Sequence, residues 1–186
     1  MELDKIFDDA ARRMEKSLES LEHEFRRIRT GRATPAILEG IRVSYYGNVV
    51  PLQQIASVMV QGPRMLVVKP WDKSVIGEIM KAIQASGLGL TPQSDGTVLR
   101  IPIPPLSEER RQELVRLIRK LAEDTRVAIR NVRRDALEQI RKLEKDSVIS
   151  EDDRHRAEER LQKLTNDWIE KVDEKLSAKE KEVLEE

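Results

Sequence analysis

Cysteine is absent from the 186 residues, which excludes a disulfide frame, a thiol nucleophile and a thiolate metal site. Histidine is almost absent. His23 and His155 stand on separate charged stretches, and each reads as a surface or boundary residue rather than a ligand or base. Six aromatic side chains against 37% charged residues point to long solvated helices rather than a thick globular core. No apolar run approaches the ~18 residues that a bilayer crossing needs. The opening MELDKIFDDA lacks the positive and apolar regions of a signal peptide. A soluble, cytoplasmic protein without metal or cofactor is expected.

Glycine and proline are missing from most of the chain. All eight of each fall between Gly31 and Pro105, so residues 1–30 and 106–186, 111 in all, contain no breaker while the 75 between them contain sixteen. Because these residues interrupt regular helices, the pattern predicts a helical domain of residues 1–30 plus 106–186, with a second domain, 31–105, inserted into it.

In the first flank Leu3, Ile6, Phe7, Ala10, Met14, Leu18, Leu21, Phe25 and Ile28 recur at helical spacing, and Gly31 reads as the stop just past the helix. After Pro104-Pro105, Ser107 is a candidate N-cap for a helix to about residue 145. Its core stripe is Leu114, Ile118, Leu121, Thr125, Ala128, Val132, Ala136, Ile140 and Leu143. Ser150 and Asp153 have the spacing of a capping-box variant and open a third helix, with Ala157, Leu161, Leu164, Trp168, Val172 and Leu176 on its apolar side. Three narrow stripes are best buried lengthwise against one another, so the fold class is α+β, an elongated three-helix bundle with a small inserted β/α/β domain.

The middle segment alternates like strands. Residues 41–46 and 49–50 read as a hairpin around a Gly47-Asn48 turn, followed by strands over 55–60 and 65–69. Asp72 is placed to cap a helix carrying Val75, Ile76, Ile79, Met80 and Ile83, with Gly87 past its end, before a last strand over 98–103. The Tyr45-Tyr46 pair points one ring to the core and one to the surface. The two crossings between domains, Thr30-Gly31 and Pro104-Pro105, form a candidate hinge near 30–31 and 104–106, loosened by glycine on one side and stiffened by proline on the other.

The balance of 34 basic and 34 acidic residues hides an asymmetry. Residues 110–134 carry nine basic and three acidic side chains; residues 144–186 carry nine basic and fifteen acidic. On a helical wheel Arg119, Arg126, Arg130, Arg133, Arg134 and Arg141 fall in an arc of ~100° roughly opposite the core stripe, an arginine ridge facing water. Arg26, Arg27, Arg29 and Arg32 form a second cluster, which would lie beside Arg110 and Arg111 if the first two helices run antiparallel. A charge run is ordinarily a solvated face. The stretch 126–134, however, contains no acid, although acids of the third helix remain able to reach around the bundle. Arginine forks suit phosphate. No constellation supplies nucleophile, base and oxyanion donors together, and Gly87-Leu88-Gly89 lacks the lysine and helix of a phosphate loop. Beside an RNA-binding bundle stands the alternative of a coiled-coil-like adaptor; an enzyme is the remotest reading.

The segments Arg27–Ala33 (RIRTGRA), Tyr45-Tyr46-Gly47, Pro51-Leu52, Pro102–Leu106 (PIPPL), Glu108–Arg111 (EERR), Arg126–Asp135 (RVAIRNVRRD) and Ile149–Asp153 (ISEDD) occur together and in order. In these the chain resembles the ribosome recycling factor family along its whole length. The resemblance implies an L-shaped molecule of transfer-RNA-like dimensions. It also implies a monomer that binds the post-termination ribosome and acts with elongation factor G, whose GTP hydrolysis drives separation of the subunits and release of messenger and transfer RNA. By the same resemblance Arg29, Gly31, Arg32, Arg111, Arg130, Arg133 and Arg134 match positions that meet large-subunit ribosomal RNA, with Arg126 added from the ridge. The hinge and small domain face elongation factor G.

Overall fold

The computed structural model describes residues 2–184. In chain order the elements are α1 (Glu2–Arg27), β1 (Arg42–Tyr45), β2 (Asn48–Pro51), β3 (Ala56–Val60), β4 (Met65–Pro70), α2 (Ile76–Gln84), β5 (Gln93–Ser94), β6 (Leu99–Pro102), α3 (Glu108–Lys145) and α4 (Glu151–Leu184). Short 3-10 turns occupy Pro35–Leu38, Leu52–Gln54 and Lys73–Val75. The chain divides at Ile28/Arg29 and Ser107/Glu108 into a helical unit and a smaller one. Arg29 and Thr30 therefore go with the smaller unit, because α1 has already ended at Arg27.

In the helical unit α1, α3 and α4 pack together. Asp4 pairs with Arg160 and Glu22 with Lys175, so α1 and α4 run in the same direction; Arg119 pairs with Glu180 and Arg141 with Glu158, so α3 and α4 run oppositely. At 1.5 Å per residue α3 extends about 57 Å. The observed core of α3 is Leu114, Val115, Ile118, Ala122, Thr125, Ile129, Val132, Ala136 and Ile140. Ala122 and Ile129 are buried where Leu121 and Ala128 were expected, and Leu121, Ala128 and Leu143 are only half-buried. The reason is that α3 meets both other helices, so its apolar face is wider and turned toward the seam with α4. In α4, Thr165 replaces Leu164 in the buried row, its hydroxyl donating 2.8 Å to the Leu161 carbonyl, while Trp168 and Leu176 stay half-buried.

The α3–α4 turn uses two backbone devices. The N–H of Val148 reaches the carbonyl of Leu143 (2.8 Å) and that of Ser147 the carbonyl of Glu144 (2.9 Å), with Ser147 at φ +60°, a Schellman ending without glycine. Ser150 then donates its N–H to Asp153 (3.2 Å) and its hydroxyl accepts from the Asp153 N–H (3.0 Å), the expected capping box. Gly31 does not stop α1. The helix ends at Arg27 with the Ile28 N–H on the Phe25 carbonyl, and Gly31, at φ +87°, bends the chain four residues later.

In the smaller unit β3-β4-β6-β5 form an antiparallel sheet, and β1-β2 form a separate hairpin. Facing pairs such as Leu66↔Ile101 and Val68↔Leu99 fill a core closed by Ile79 and Ile83 of α2. The hairpin turn is Tyr46-Gly47, not Gly47-Asn48, since Asn48 pairs with Tyr45. Both turn residues have positive φ (+48° and +85°), as a primed turn requires, and glycine takes the second place. Strand β5 escaped sequence reading because it is two polar residues long; Asp95 builds its turn by accepting from the N–H groups of Thr97 and Val98 (2.9 Å each) and from Arg100 (2.6 Å). Asp72 caps the 3-10 turn before α2, accepting from the Ser74 N–H. The unit's incoming and outgoing strands are tied to one loop: Ala33 N–H donates to the Pro63 carbonyl and Ile103 N–H to the Arg64 carbonyl, each at 2.8 Å.

Candidate RNA-binding interface

Five of the expected contact residues, Arg111, Arg126, Arg130, Arg133 and Arg134, lie on α3 in the helical unit, and Arg29, Gly31 and Arg32 belong to the smaller unit. The ridge on α3 is not uniformly turned to water. Arg126 has only 19% of its side chain exposed and is held by Asp173 of α4 (2.6 and 2.9 Å) and by Glu123 (3.0 Å). Burial opposes the charge on Arg126, but the hydrogen bonds it donates to Asp173 and Glu123 outweigh it and raise the pKa above its ordinary value. Arg119 pairs with Glu180 (2.7 Å), Arg141 with Glu158 (3.2 Å), and Arg133 donates to Gln162 (3.0 Å). The acids of α4 thus do reach the ridge. Arg119, Arg126 and Arg133 recur every seven residues, the spacing of side chains that flank a helix–helix seam. Arg133, expected to face water, is half-buried, and its Nε has no acceptor.

A second row points away from the seam. At 100° per residue Arg116 and Arg134 share one angle on α3, opposite the buried row, with Arg130 beside them. Arg116 and Arg134 are exposed and meet no acid or hydrogen-bond acceptor among the described residues. Arg130 is exposed but shares Glu123 with Arg126, at 3.3 Å. Arg111 is half-buried beside Glu108 (3.7 Å). In the smaller unit Arg32 is exposed without a partner among the described residues, and Arg29 is half-buried with its Nε unsatisfied among them. Thr30 and Gly31 are buried, while Pro104 and Pro105 are exposed.

The Arg26-Arg27 end of α1 is not level with Arg110 and Arg111. Arg13 bonds Asp135 (3.0 Å), and counting antiparallel from that pair places Arg27 opposite Leu121. The first turns of α3, from Glu108, therefore run on for about 20 Å beyond the end of α1. A cleft of about 340 Å³ between α3 and α4 is lined by Arg133, Leu137, Arg141, His155, Glu158 and Gln162, among others. Among the described residues no group of His, Asp or Glu is arranged to hold a metal ion, and no helix is long and apolar enough to cross a membrane.

What this surface can do follows from its division. Paired arginines stiffen the seam, whereas unpaired ones hold charge-assisted donors open to a phosphate without first giving up an acid. The sequence points to all of them except Arg116 as ridge or contact residues, but a single helical wheel gives angles and not the side on which the neighbouring helix lies.

Known proteins are similar to this chain over nearly its full length. Residues 21–184 match the sequence model of a family described as Ribosome recycling factor. The ribosome-recycling factor of Carboxydothermus hydrogenoformans is 54% identical over 179 residues, covering 96% of this chain and 97% of the relative, and that of Natranaerobius thermophilus is 51% identical over 181 residues, covering 97% and 98%. A solution structure of the ribosome recycling factor superposes with a TM-score of 0.73 at 44% identity, covering 99% of this chain and 98% of the other. Models for the T. thermophilus ribosome recycling factor and the E. coli elongation factor G bound to the E. coli post-termination complex give 0.65 at 49% identity, covering 99% and 100%. The chain belongs to the ribosome recycling factor family.

Proposed function

We propose that this protein binds the post-termination ribosome and, with elongation factor G and GTP hydrolysis by that factor, splits it into subunits, freeing messenger and transfer RNA for another round of translation. The observation that carries the reading is the end-to-end match to recycling factors, one of them placed with elongation factor G on a post-termination complex. An adaptor or unspecialised RNA-binding bundle would have no reason to share the whole chain, small unit included, with such proteins.

Large-subunit ribosomal RNA is the ligand of Arg29, Gly31, Arg32, Arg111, Arg126, Arg130, Arg133 and Arg134. Arg32 and Arg134 support this best, being exposed cations without partners among the described residues. Binding of this kind depends on salt and on the shape of the RNA more than on base identity. Thr30-Gly31 and Pro104-Pro105 serve as the hinge, lying just outside the tied positions Ala33 and Ile103. The chain supplies grip and transmission in the cytoplasm as a monomer; chemical work belongs to the GTPase.

Light scattering tests this. Post-termination ribosomes are mixed with this protein, elongation factor G and GTP from matched sources, each omitted in turn. A scattering drop that needs every component is expected. No drop with folded protein would refute recycling.

A further inference from the structure

One acid stands inside the basic face of α3. At 100° per residue Glu123 lies about 20° from the line that joins Arg116 and Arg134, roughly 10 Å along the axis from the first and 16 Å from the second. Between those two arginines it is the only acidic residue within about 40° of the line. Its side chain is 55% exposed, so the carboxylate stands outward with the arginines rather than inside the bundle.

Both oxygens of that carboxylate are taken. One accepts from Nη1 of Arg126 at 3.0 Å and the other from Nη1 of Arg130 at 3.3 Å. Arg126 is fixed in turn by Asp173 of α4 through its Nε and Nη2. A chain of charges, Asp173, Arg126, Glu123 and Arg130, therefore leads from the seam with α4 out to the open row. The contact with Arg126, three residues on, is an ordinary helix pair. The contact with Arg130 spans seven residues between two exposed side chains, and a pair of that kind adds little to the fold. Its effect falls on the surface: Arg130 is committed to an acid, whereas Arg116 and Arg134 meet no acid or acceptor among the described residues.

We propose that Glu123 is a specificity-determining residue of this face: its own charge and its hold on Arg130 reject RNA whose phosphates run continuously along α3, as in an arbitrary duplex, and admit RNA that presents phosphates near Arg116 and near Arg134 with a gap between. The inference rests on the RNA-binding reading above and names what that surface selects. A phosphate track laid along the whole row passes over Glu123, where it meets a negative charge and an arginine already engaged. Discrimination between partners comes from a group that penalises the wrong one as well as from contacts that favour the right one. Toward Arg130, Glu123 acts as a positioning residue.

The test compares the intact protein with Glu123→Gln, Arg130→Ala, Arg134→Ala and Glu15→Gln, each checked by a thermal melt. Glutamine keeps the length of the side chain and still accepts from Arg126, so the fold should hold. Two probes are used in equilibrium binding at several salt concentrations: ribosomes, and an RNA duplex of arbitrary sequence and about 16 base pairs, enough to present two successive minor grooves. Glu123→Gln is expected to bind the duplex about three- to fivefold more tightly, the upper range of an exposed ion pair, with a steeper dependence on salt as Arg130 gains a phosphate. Its ribosome affinity should rise by clearly less, so that the preference for ribosomes falls. Glu15→Gln removes the same charge from an exposed position of α1 and should leave both affinities near those of the parent. A carboxylate that served only the helix would, once neutralised, lower the melt and leave the duplex-to-ribosome ratio unchanged. That unchanged ratio, with Arg130→Ala and Arg134→Ala still weakening ribosome binding, overturns the discrimination alone. If both arginine variants bind ribosomes as the parent does, the RNA-binding reading falls and takes the discrimination with it.

Discussion

Replacing Arg134 by alanine separates binding from folding more cleanly than any other change on α3. The residue is exposed, stands opposite the buried row and has no partner among the described residues, so its loss should alter stability by no more than about 0.5 kcal/mol. If its guanidinium holds one RNA phosphate, the charge-assisted bond contributes about 1.5–3 kcal/mol net, which corresponds to roughly a ten- to 150-fold loss of ribosome affinity. Removing one phosphate contact should also flatten the dependence of log affinity on log salt by about 0.7–0.9. The assay is equilibrium binding of labelled protein to ribosomes at four or five salt concentrations, with a thermal melt of each variant. Arg126→Ala is the internal control: it strips Asp173 and Glu123 of their shared partner, so its melt should fall as well as its affinity. Equal affinity for Arg134→Ala and the parent, or a loss with unchanged salt slope, would refute the role given to this face.

Ile129→Ala should cost about 2–5 kcal/mol, as for other fully buried aliphatic residues, and a chemical-denaturation loss below that of Leu121→Ala would disprove the observed register of α3. Ser147→Gly should raise the melting temperature, since the left-handed position costs a non-glycine residue about 1–2 kcal/mol; a lower melt would contradict the Schellman geometry. Ser150→Ala should lower stability by about 0.5–2 kcal/mol through loss of the N-cap, read in the same melts. Acid should weaken the fold. The backbone N–H of Ser150 holds the Asp153 carboxyl below its ordinary 3.8, and the backbone N–H groups of Val98 and Thr97 lower Asp95 likewise. Carboxylates depressed in the folded state add stability that is complete above their unfolded values and is lost as pH falls through the folded ones. Melts should therefore decline from about pH 4 downward, and less steeply in Asp153→Asn.

The distribution of glycine and proline made the two-part organisation legible, because an unbroken run of helix formers has few alternatives once its apolar stripe is buried. Ser150 and Asp153 were legible for a similar reason: a capping box is complete within four residues. The hairpin turn was displaced by one residue because two glycine-containing dipeptides overlap there, and cross-strand packing of Val43 on Val50 decided between them. Arg126 and Arg133 read from the sequence as part of a basic row facing water. Their partners are Asp173 and Gln162, on a helix 29 to 47 residues away in sequence, and nothing local encodes that approach. Tyr46 gave no sequence signal of strain, which arises only when the turn forms.

The ion pairs between α3 and α4 keep a nearly constant register. Arg119–Glu180, Arg126–Asp173 and Arg141–Glu158 each sum to 299 in residue number, and Glu144–Arg154 to 298. Spread over 25 residues of α3, or about 38 Å, these rungs bear shear together: sliding one helix past the other by a single turn, about 5.4 Å, would break all of them at once. A push delivered to one end of the pair is therefore carried to the other as axial displacement rather than dissipated as slip, and the helical hairpin works as a strut.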